Sequence, residues 1–529
     1  MRADPIAQPN GQPRPLDHLA LCGADQATAL VLRSGPLSYQ ALNARVGLLA
    51  AWLAAQAQES LAAQAQESLA AQAPERGARV ATWLSKSELA CLMPLAAVRA
   101  GLVHVPINPL LKRAQVAHIL ADSGAKLLIS NAARLDSLEP GDAGGVACID
   151  ESAAWAAAEA LGGALGPSAG SVDDLAAILY TSGSTGKPKG VMLSSANLWL
   201  GAVSVVHYLK ISPADRVLAV MPLSFDYGQN QLLSSWYAGA SVVPLDYLVP
   251  RDVVKAVERH GVTTVGAVPP LWVQLVEQDW PAETAAKLRR LTNTGGALTP
   301  ALVRRLRGQF PQADLYAMYG LTEAFRSTYL DPALIDAHPT SIGSAIPFAE
   351  IMVVADDGSE AAPDQEGELV HAGPLVAQGY WQDEARTAER FRPAPGFSQL
   401  GGMAVWSGDR VRRDGAGLLH FVGRRDAMIK TSGNRVSPQE VEDAAVATGL
   451  VAEAVALGVP DARLGAAIHL VVRAADGADR EALIPALTRA LPNFMVPRVV
   501  HWREAMPIGP NGKIDRVALA AELPRESDS

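Results

Sequence analysis

Cysteine is almost absent: only Cys22, Cys91 and Cys148 occur in 529 residues. They are too scattered for a metal-ligand spacing or a disulfide framework, and this usage implies a reducing compartment. A basic surplus is lacking as well. The net charge is −9 and the pI about 5.6, which excludes the broad basic stripe of a nucleic-acid binder. A site for one small anion is not excluded, because it needs only local donors. No apolar run reaches the roughly 18 uncharged residues of a membrane span. The stretch after Glu88 is interrupted by Arg99. Residues 1–17 are polar and proline-rich and lack the apolar segment of a signal peptide, so a cytoplasmic location is expected. With 49% apolar residues, the chain has ample material for several cores, and its length calls for more than one subdomain.

One stretch organises the rest. An apolar run ending at Tyr180 reads as a buried strand, followed by Thr181, Ser182, Gly183, Ser184, Thr185, Gly186, Lys187, Pro188, Lys189 and Gly190. The glycines let backbone N–H groups approach an anion, and the hydroxyls and lysines add donors and charge. This suits a polyphosphate. It is not the common P-loop, which has four residues between its glycines and a Ser or Thr after its lysine. Here two residues separate Gly183 from Gly186, and Pro188 follows Lys187.

Upstream, strands are expected over 79–84, 103–107 and 125–130, with helices over 85–99 and 112–122. That alternation implies a parallel sheet. The octapeptide of residues 54–61 repeats at 62–69. Eight residues drift by about 80° of helical phase per copy, so no apolar face persists, and the expectation is an exposed, lengthened helix. Gly166 to Gly170 matches G-x-S-x-G, but its loop-like flanks do not make a nucleophile elbow. Downstream, strands over 216–221, 262–268, 288–293 and 314–318 each run into polar or glycine-rich turns. Motifs therefore fall at the carboxyl ends of strands, where open α/β sheets bind ligands. Antiparallel structure is expected over 350–372, and an α+β segment beyond 426.

Further clusters bear chemistry. Tyr319-Gly320-Leu321-Thr322-Glu323 joins a ring that can stack on a base to a hydroxyl and a carboxylate suited to Mg²⁺. Gly295-Gly296-Ala297 is a bare turn. Asp409 pairs with the run Gly423-Arg424-Arg425-Asp426, where a surface salt bridge is the simpler reading of either charge alone. Lys513 lies in Pro510-Asn511-Gly512-Lys513-Ile514-Asp515-Arg516.

Together these stretches closely resemble the AMP-forming adenylating enzymes, which include acyl-CoA synthetases and peptide-synthetase adenylation domains. The resemblance covers nearly the whole chain. It implies an α/β fold: residues 1–425 as a large domain of parallel-sheet subdomains with a small β subdomain, and residues 426–529 as a small mobile α+β lid. It implies that Thr181 to Lys187 and Lys189 hold the ATP phosphates, and that Gly295, Gly296, Ala297, Tyr319 and Gly320 frame the adenine. Thr322 would touch the α-phosphate, Glu323 would bind Mg²⁺, and Asp409 and Arg424 would take the ribose. Asp426 would be the hinge, Lys513 the catalytic lysine, and Ser432, Gly433 and Arg435 would face the thiol half-reaction. ATP and CoA are the implied co-substrates.

Phe225 and Asp226 fall where the acid should sit. A buried carboxylate without a cation is costly, so Asp226 points to an amine on the substrate; a hydrogen-bonded rim aspartate is the other reading. The longest shared runs are most similar to acyl-CoA ligases associated with exosortase A systems, and also to stand-alone prolyl–carrier-protein ligases. The expected activity is therefore an acyl-CoA ligase. The alternatives are amino-acid loading of a separate acyl carrier protein and a non-catalytic adenylate-binding homologue.

Overall fold

The computed structural model describes residues 11–65, 77–181, 188–424, 429–431, 434–461 and 464–523. Asp426, Ser432, Gly433 and residues 182–187 lie outside the described residues.

Two sheets carry the large part of the chain. A six-stranded sheet has the order Ala147–Asp150, Leu127–Ser130, Arg79–Trp83, Val103–Pro106, Leu175–Thr181 and Lys189–Ser194. It is parallel except for its last pair, where Thr181 opposes Lys189 in an antiparallel hairpin. The strand Ala147–Asp150 and the helix Glu151–Leu161 are elements that the sequence patterns did not single out. In a second sheet, Asp314–Tyr319, Arg290–Asn293, Thr264–Ala267, Arg216–Ala219 and Ser241–Pro244 are parallel neighbours. This sheet continues from Asp314–Tyr319 into antiparallel strands that include Met403–Arg413 and Leu419–Arg424. The strands of the parallel block are buried on both faces, as helix-covered parallel strands must be.

Local chemistry fixes the helices between them. Ser194 caps Ser195–Leu209 and forms a capping box with Asn197. Pro269 and Pro270 open Pro269–Leu275, where a missing N–H costs nothing. Helix Tyr39–Ala65 runs through the first octapeptide copy into the second. The loop holding the G-x-S-x-G match forms no elbow; Ser168 is spent on Asp17, with its Oγ donating at 2.7 Å. Beyond 429 the chain forms a three-stranded sheet, Val451–Asp461, Gly465–Ala474 and Val499–Arg503, with hydrophobic clusters of its own around Leu470 and Val471. No helix among the described residues is long and apolar enough to cross a membrane.

Candidate active site

The hairpin that starts at Thr181 returns as Lys189–Ser194, which places Lys189 beside the turn at Thr322–Ala324. Lys189 Nζ lies 3.0 Å from Glu323 Oε1 and donates to the Tyr380 hydroxyl at 2.7 Å. Tyr380 in turn donates to Glu323 Oε1 at 2.6 Å, and the ammonium sits 4.2 Å from the centre of the Tyr380 ring. Burial works against the Glu323 carboxylate, but the Lys189 charge and the hydrogen bonds from Tyr380 and Lys189 outweigh it and hold its pKa below the ordinary value. Glu323 is thus an ionised, oriented carboxylate. Among the described residues no group of three His, Cys, Asp or Glu side chains could hold a metal. A single anionic carboxylate fits Mg²⁺, which takes one or two protein oxygens and draws the rest from substrate phosphates and water.

The segment from Tyr319 to Arg326 is tightly folded. Ser327 N–H closes it by donating to Tyr319 O at 3.0 Å. Phe325 adopts φ 61°, an uncommon conformation for a bulky residue. A Cβ on Gly320 would stand 2.7 Å from Arg326 Cα, so only glycine fits there. Tyr319 donates its hydroxyl to Asp409 Oδ2 at 2.5 Å. Asp409 lies opposite Arg424 on paired strands, with Arg424 Nε 3.4 Å from Asp409 Oδ1. Arg424 is exposed and Asp409 largely shielded.

Lys513 reaches the same cleft from the C-terminal segment. Its turn is closed by Gly509 N–H to Lys513 O at 2.7 Å and Gly512 N–H to Gly509 O at 2.9 Å. A Cβ on Gly295 would lie 2.6 Å from Lys513 Cε, and Gly295 also has φ 79°, so a side chain is excluded there twice over. Lys513 as a residue is exposed, but its ammonium end is surrounded by protein. Burial pushes its pKa down; Asp226 and Asp409 oppose that, and Arg424 and Arg326 reinforce it.

Two contacts tie this segment to the large part of the chain. Asn108 Nδ2 donates to Pro510 O at 2.7 Å, its own orientation fixed by Leu110 N–H donating to Oδ1 at 2.9 Å. Arg473 Nη2 lies 3.2 Å from Glu277 while its Nε reaches Glu453 at 2.5 Å. Asn108→Ala is expected to slow acyl-adenylate formation about five- to tenfold, the worth of one neutral hydrogen bond. It should leave thioester formation from supplied acyl-adenylate unchanged, which stopped-flow measurement of each half-reaction checks.

Asp226 is the first residue of helix Asp226–Tyr237, and Phe225 is its half-buried N-cap. Asp226 also has a cation within the chain, which bears on the expectation of a substrate amine. Arg326 Nη1 stands 3.6 Å from Asp226 Oδ2, and both side chains are buried. Burial raises the Asp226 pKa, while Arg326 and then Lys513 pull it back. The protein supplies the cation itself. Arg326 was not among the expected residues, nor were Tyr380 and Asn108. No sequence signal marks Arg326, which stands among Thr322, Glu323, Ser327 and Thr328; only its burial shows that it requires a partner.

The sequence-predicted residues Lys189, Glu323, Tyr319, Asp409, Arg424, Gly295, Asp226 and Lys513 therefore face one cleft. Gly296 and Ala297 lie exposed at its rim, and Asn293 Nδ2 donates to Gly296 O at 2.9 Å. The strand Asn434–Val436 carries Arg435 opposite Lys430.

A large α/β body whose cleft receives a lysine from a small C-terminal α+β lobe is the fold of adenylate-forming enzymes. ATP-bound MatB from Rhodopseudomonas palustris superposes with a TM-score of 0.84 at 26% identity, covering 96% of this chain and 99% of that one. The AMP-binding enzyme family model matches residues 22–381, and the AMP-binding enzyme C-terminal domain model matches 440–513; the chain belongs to this family of AMP-forming ligases. An L-proline–[L-prolyl-carrier protein] ligase of Pseudomonas fluorescens is 30% identical over 510 residues, 94% of this chain and 96% of that protein. A feruloyl-CoA synthase of an Amycolatopsis species is 31% identical over 503 residues, 92% and 94%. Against tyrocidine synthase 2 of Brevibacillus parabrevis, 31% identity extends over 93% of this chain but only 13% of that much longer protein.

Proposed function

We propose that the chain is an ATP-dependent acyl-CoA ligase. A carboxylic acid attacks the α-phosphorus of ATP, pyrophosphate leaves, and an acyl-adenylate forms. The thiol of CoA then attacks the acyl carbon, its proton passes to solvent, and AMP leaves. The observation that carries the reading is Lys513, presented by the C-terminal lobe over Gly295 in the cleft that also holds Glu323 and Asp409.

The roles follow from the chemistry of each group. Lys513 neutralises charge as the five-coordinate phosphorus forms, an electrostatic task that suits a preorganised ammonium. Asp409 and Arg424 bind the ribose, Tyr319 and the Gly295–Gly296–Ala297 rim flank the adenine, and Thr322 meets the α-phosphate. Residues 181–187 and Lys189 hold the phosphates. Mg²⁺, when bound at Glu323, supplies charge neutralisation on the phosphates. Positioning and charge account for most of the catalysis in this class of transfer. Residues 1–425 act as the body and 426–529 as a lid hinged at Asp426. The lid withdraws Lys513 after the first half-reaction and brings Ser432, Gly433 and Arg435 toward the thiol.

The Asp226–Arg326 pair favours an acid without an amine, because the carboxylate already has its counter-ion. Amino-acid loading of a separate phosphopantetheinyl carrier stands as the second reading, supported by the prolyl-carrier relative. The experiment is AMP and pyrophosphate release from ATP with fatty, aryl and amino acids, each with CoA or with a loaded carrier. Turnover of a non-amino acid with CoA is the expected result. An exclusive requirement for an amino acid and carrier would establish the second reading. No AMP from any acid would leave a non-catalytic homologue.

A further inference from the structure

Behind the Asp226–Arg326 pair lies a cavity between helices Ser195–Leu209 and Asp226–Tyr237 and the ends of strands Thr264–Ala267 and Asp314–Tyr319. Leu209, Ile211, Val217 and Met318 close it with apolar walls. Its polar lining is unusual in one respect. Gln231 and Thr292 are satisfied: Gln231 accepts from Met221 N–H and donates to Gly266 O, and Thr292 pairs with the Tyr227 hydroxyl. Asn230 and Thr264 are not, and Arg326, though paired to Asp226 through Nη1, is satisfied only in part. They are 2%, 3% and 2% exposed, and Asn230 Nδ2, Thr264 Oγ1 and Arg326 Nε have no hydrogen-bond partner among the described residues. Buried polar groups are normally paired, so three unpaired ones around one cavity ask for an occupant.

We propose that this cavity receives a neutral oxygen function on the acyl group, so that the substrate is a short hydroxy or oxo acid. This rests on the acid-activating reading above. Arg326 borders both the cavity and Asp226, and Asp226 is close enough to Lys513 for the two charges to shift one another. An acid with its carboxylate near Lys513 therefore extends toward these three groups. All three can donate, which selects an acceptor oxygen and disfavours an ammonium. Asp226 already balances the Arg326 charge, which favours a neutral oxygen over a second carboxylate. With a volume of about 20 Å³ the cavity has room for one oxygen-sized group and none for a long chain.

The test is initial-rate pyrophosphate release with ATP, Mg²⁺ and acids of matched length: butyrate, 3-hydroxybutyrate, 2-oxobutyrate, succinate and 2-aminobutyrate, with octanoate added. A hydroxy or oxo acid should exceed butyrate in kcat/KM by tenfold or more, since a site built to hydrogen-bond a group rejects the analogue lacking it. That ratio should fall toward one in Asn230→Leu and in the near-isosteric Thr264→Val, the second guarding against misfolding of the first. A ratio near one in the wild-type enzyme would mean the cavity holds only water and overturns the proposal. Preference for octanoate, succinate or 2-aminobutyrate, or a ratio untouched by both variants, overturns it too while leaving AMP-forming activity intact. Absence of pyrophosphate release with every acid, including the aryl and fatty acids of the wider panel, instead removes the reading on which it rests.

Discussion

Lys513→Ala is expected to slow pyrophosphate release from ATP plus acid by about 10²–10³-fold, the typical loss on removing one preorganised charge-stabilising group. Thioester formation from supplied acyl-adenylate should continue at the wild-type rate, because the proposed lid motion takes this side chain out of the cleft before the thiol attacks. Single-turnover measurement of both half-reactions decides the matter; an equal loss in both would refute the assignment. The pH profile offers an independent check. The ammonium is the useful form, and burial lowers its pKa from the ordinary lysine value. The first half-reaction should therefore decline as pH rises through that lowered pKa, earlier than a solvated lysine would cause. In Lys513→Ala that alkaline limb should be missing.

Much of the cleft was legible in the sequence because its parts are local. Glycines at 295 and 320 and the Thr322-Glu323 step are backbone and motif signals that survive without knowledge of packing. The strand-then-turn rhythm likewise located these motifs at one edge of a sheet. What escaped was pairing over long sequence distances. Arg326 is 100 positions from Asp226, and its role as counter-ion exists only because helix Asp226–Tyr237 and the turn after Tyr319 converge. Tyr380 meets Lys189 across 191 positions, and Asn108 meets Pro510 across 402. The reading of Asp226 shows the same limit: the cost of a buried charge is visible in the sequence, but a cation supplied by the chain itself, Arg326, is not. Helix Glu151–Leu161 went unnoticed because an alanine-rich stretch carries little apolar contrast, although Asp150 caps it.

Lys189→Met is expected to destabilise the protein by about 3 kcal/mol, the cost of leaving one partner of a shielded ion pair behind. The side chains are mostly shielded from solvent, and only Tyr380 and a backbone N–H remain to support the Glu323 carboxylate. The sign of the pH dependence should invert. In the wild type, Glu323 has a folded pKa below its unfolded value. Its contribution is therefore present above the unfolded pKa, about 4.3, and is lost as pH falls through the folded pKa. Without Lys189, burial is the largest remaining influence and raises the folded pKa above the unfolded one. The variant should then lose stability as pH rises between those two values, and its deficit against wild type should shrink toward acid. Adding Glu323→Gln removes the stranded charge and should restore most of the lost stability, giving a strongly non-additive double-mutant cycle. It should not restore activity, since the carboxylate assigned to Mg²⁺ is gone. Urea melts of the four proteins across pH 4 to 8 measure the cycle. A Lys189→Met deficit that is constant with pH and simply additive with Glu323→Gln would mean that the two charges are not coupled, and that the lysine acts only through its stem against the Tyr380 ring.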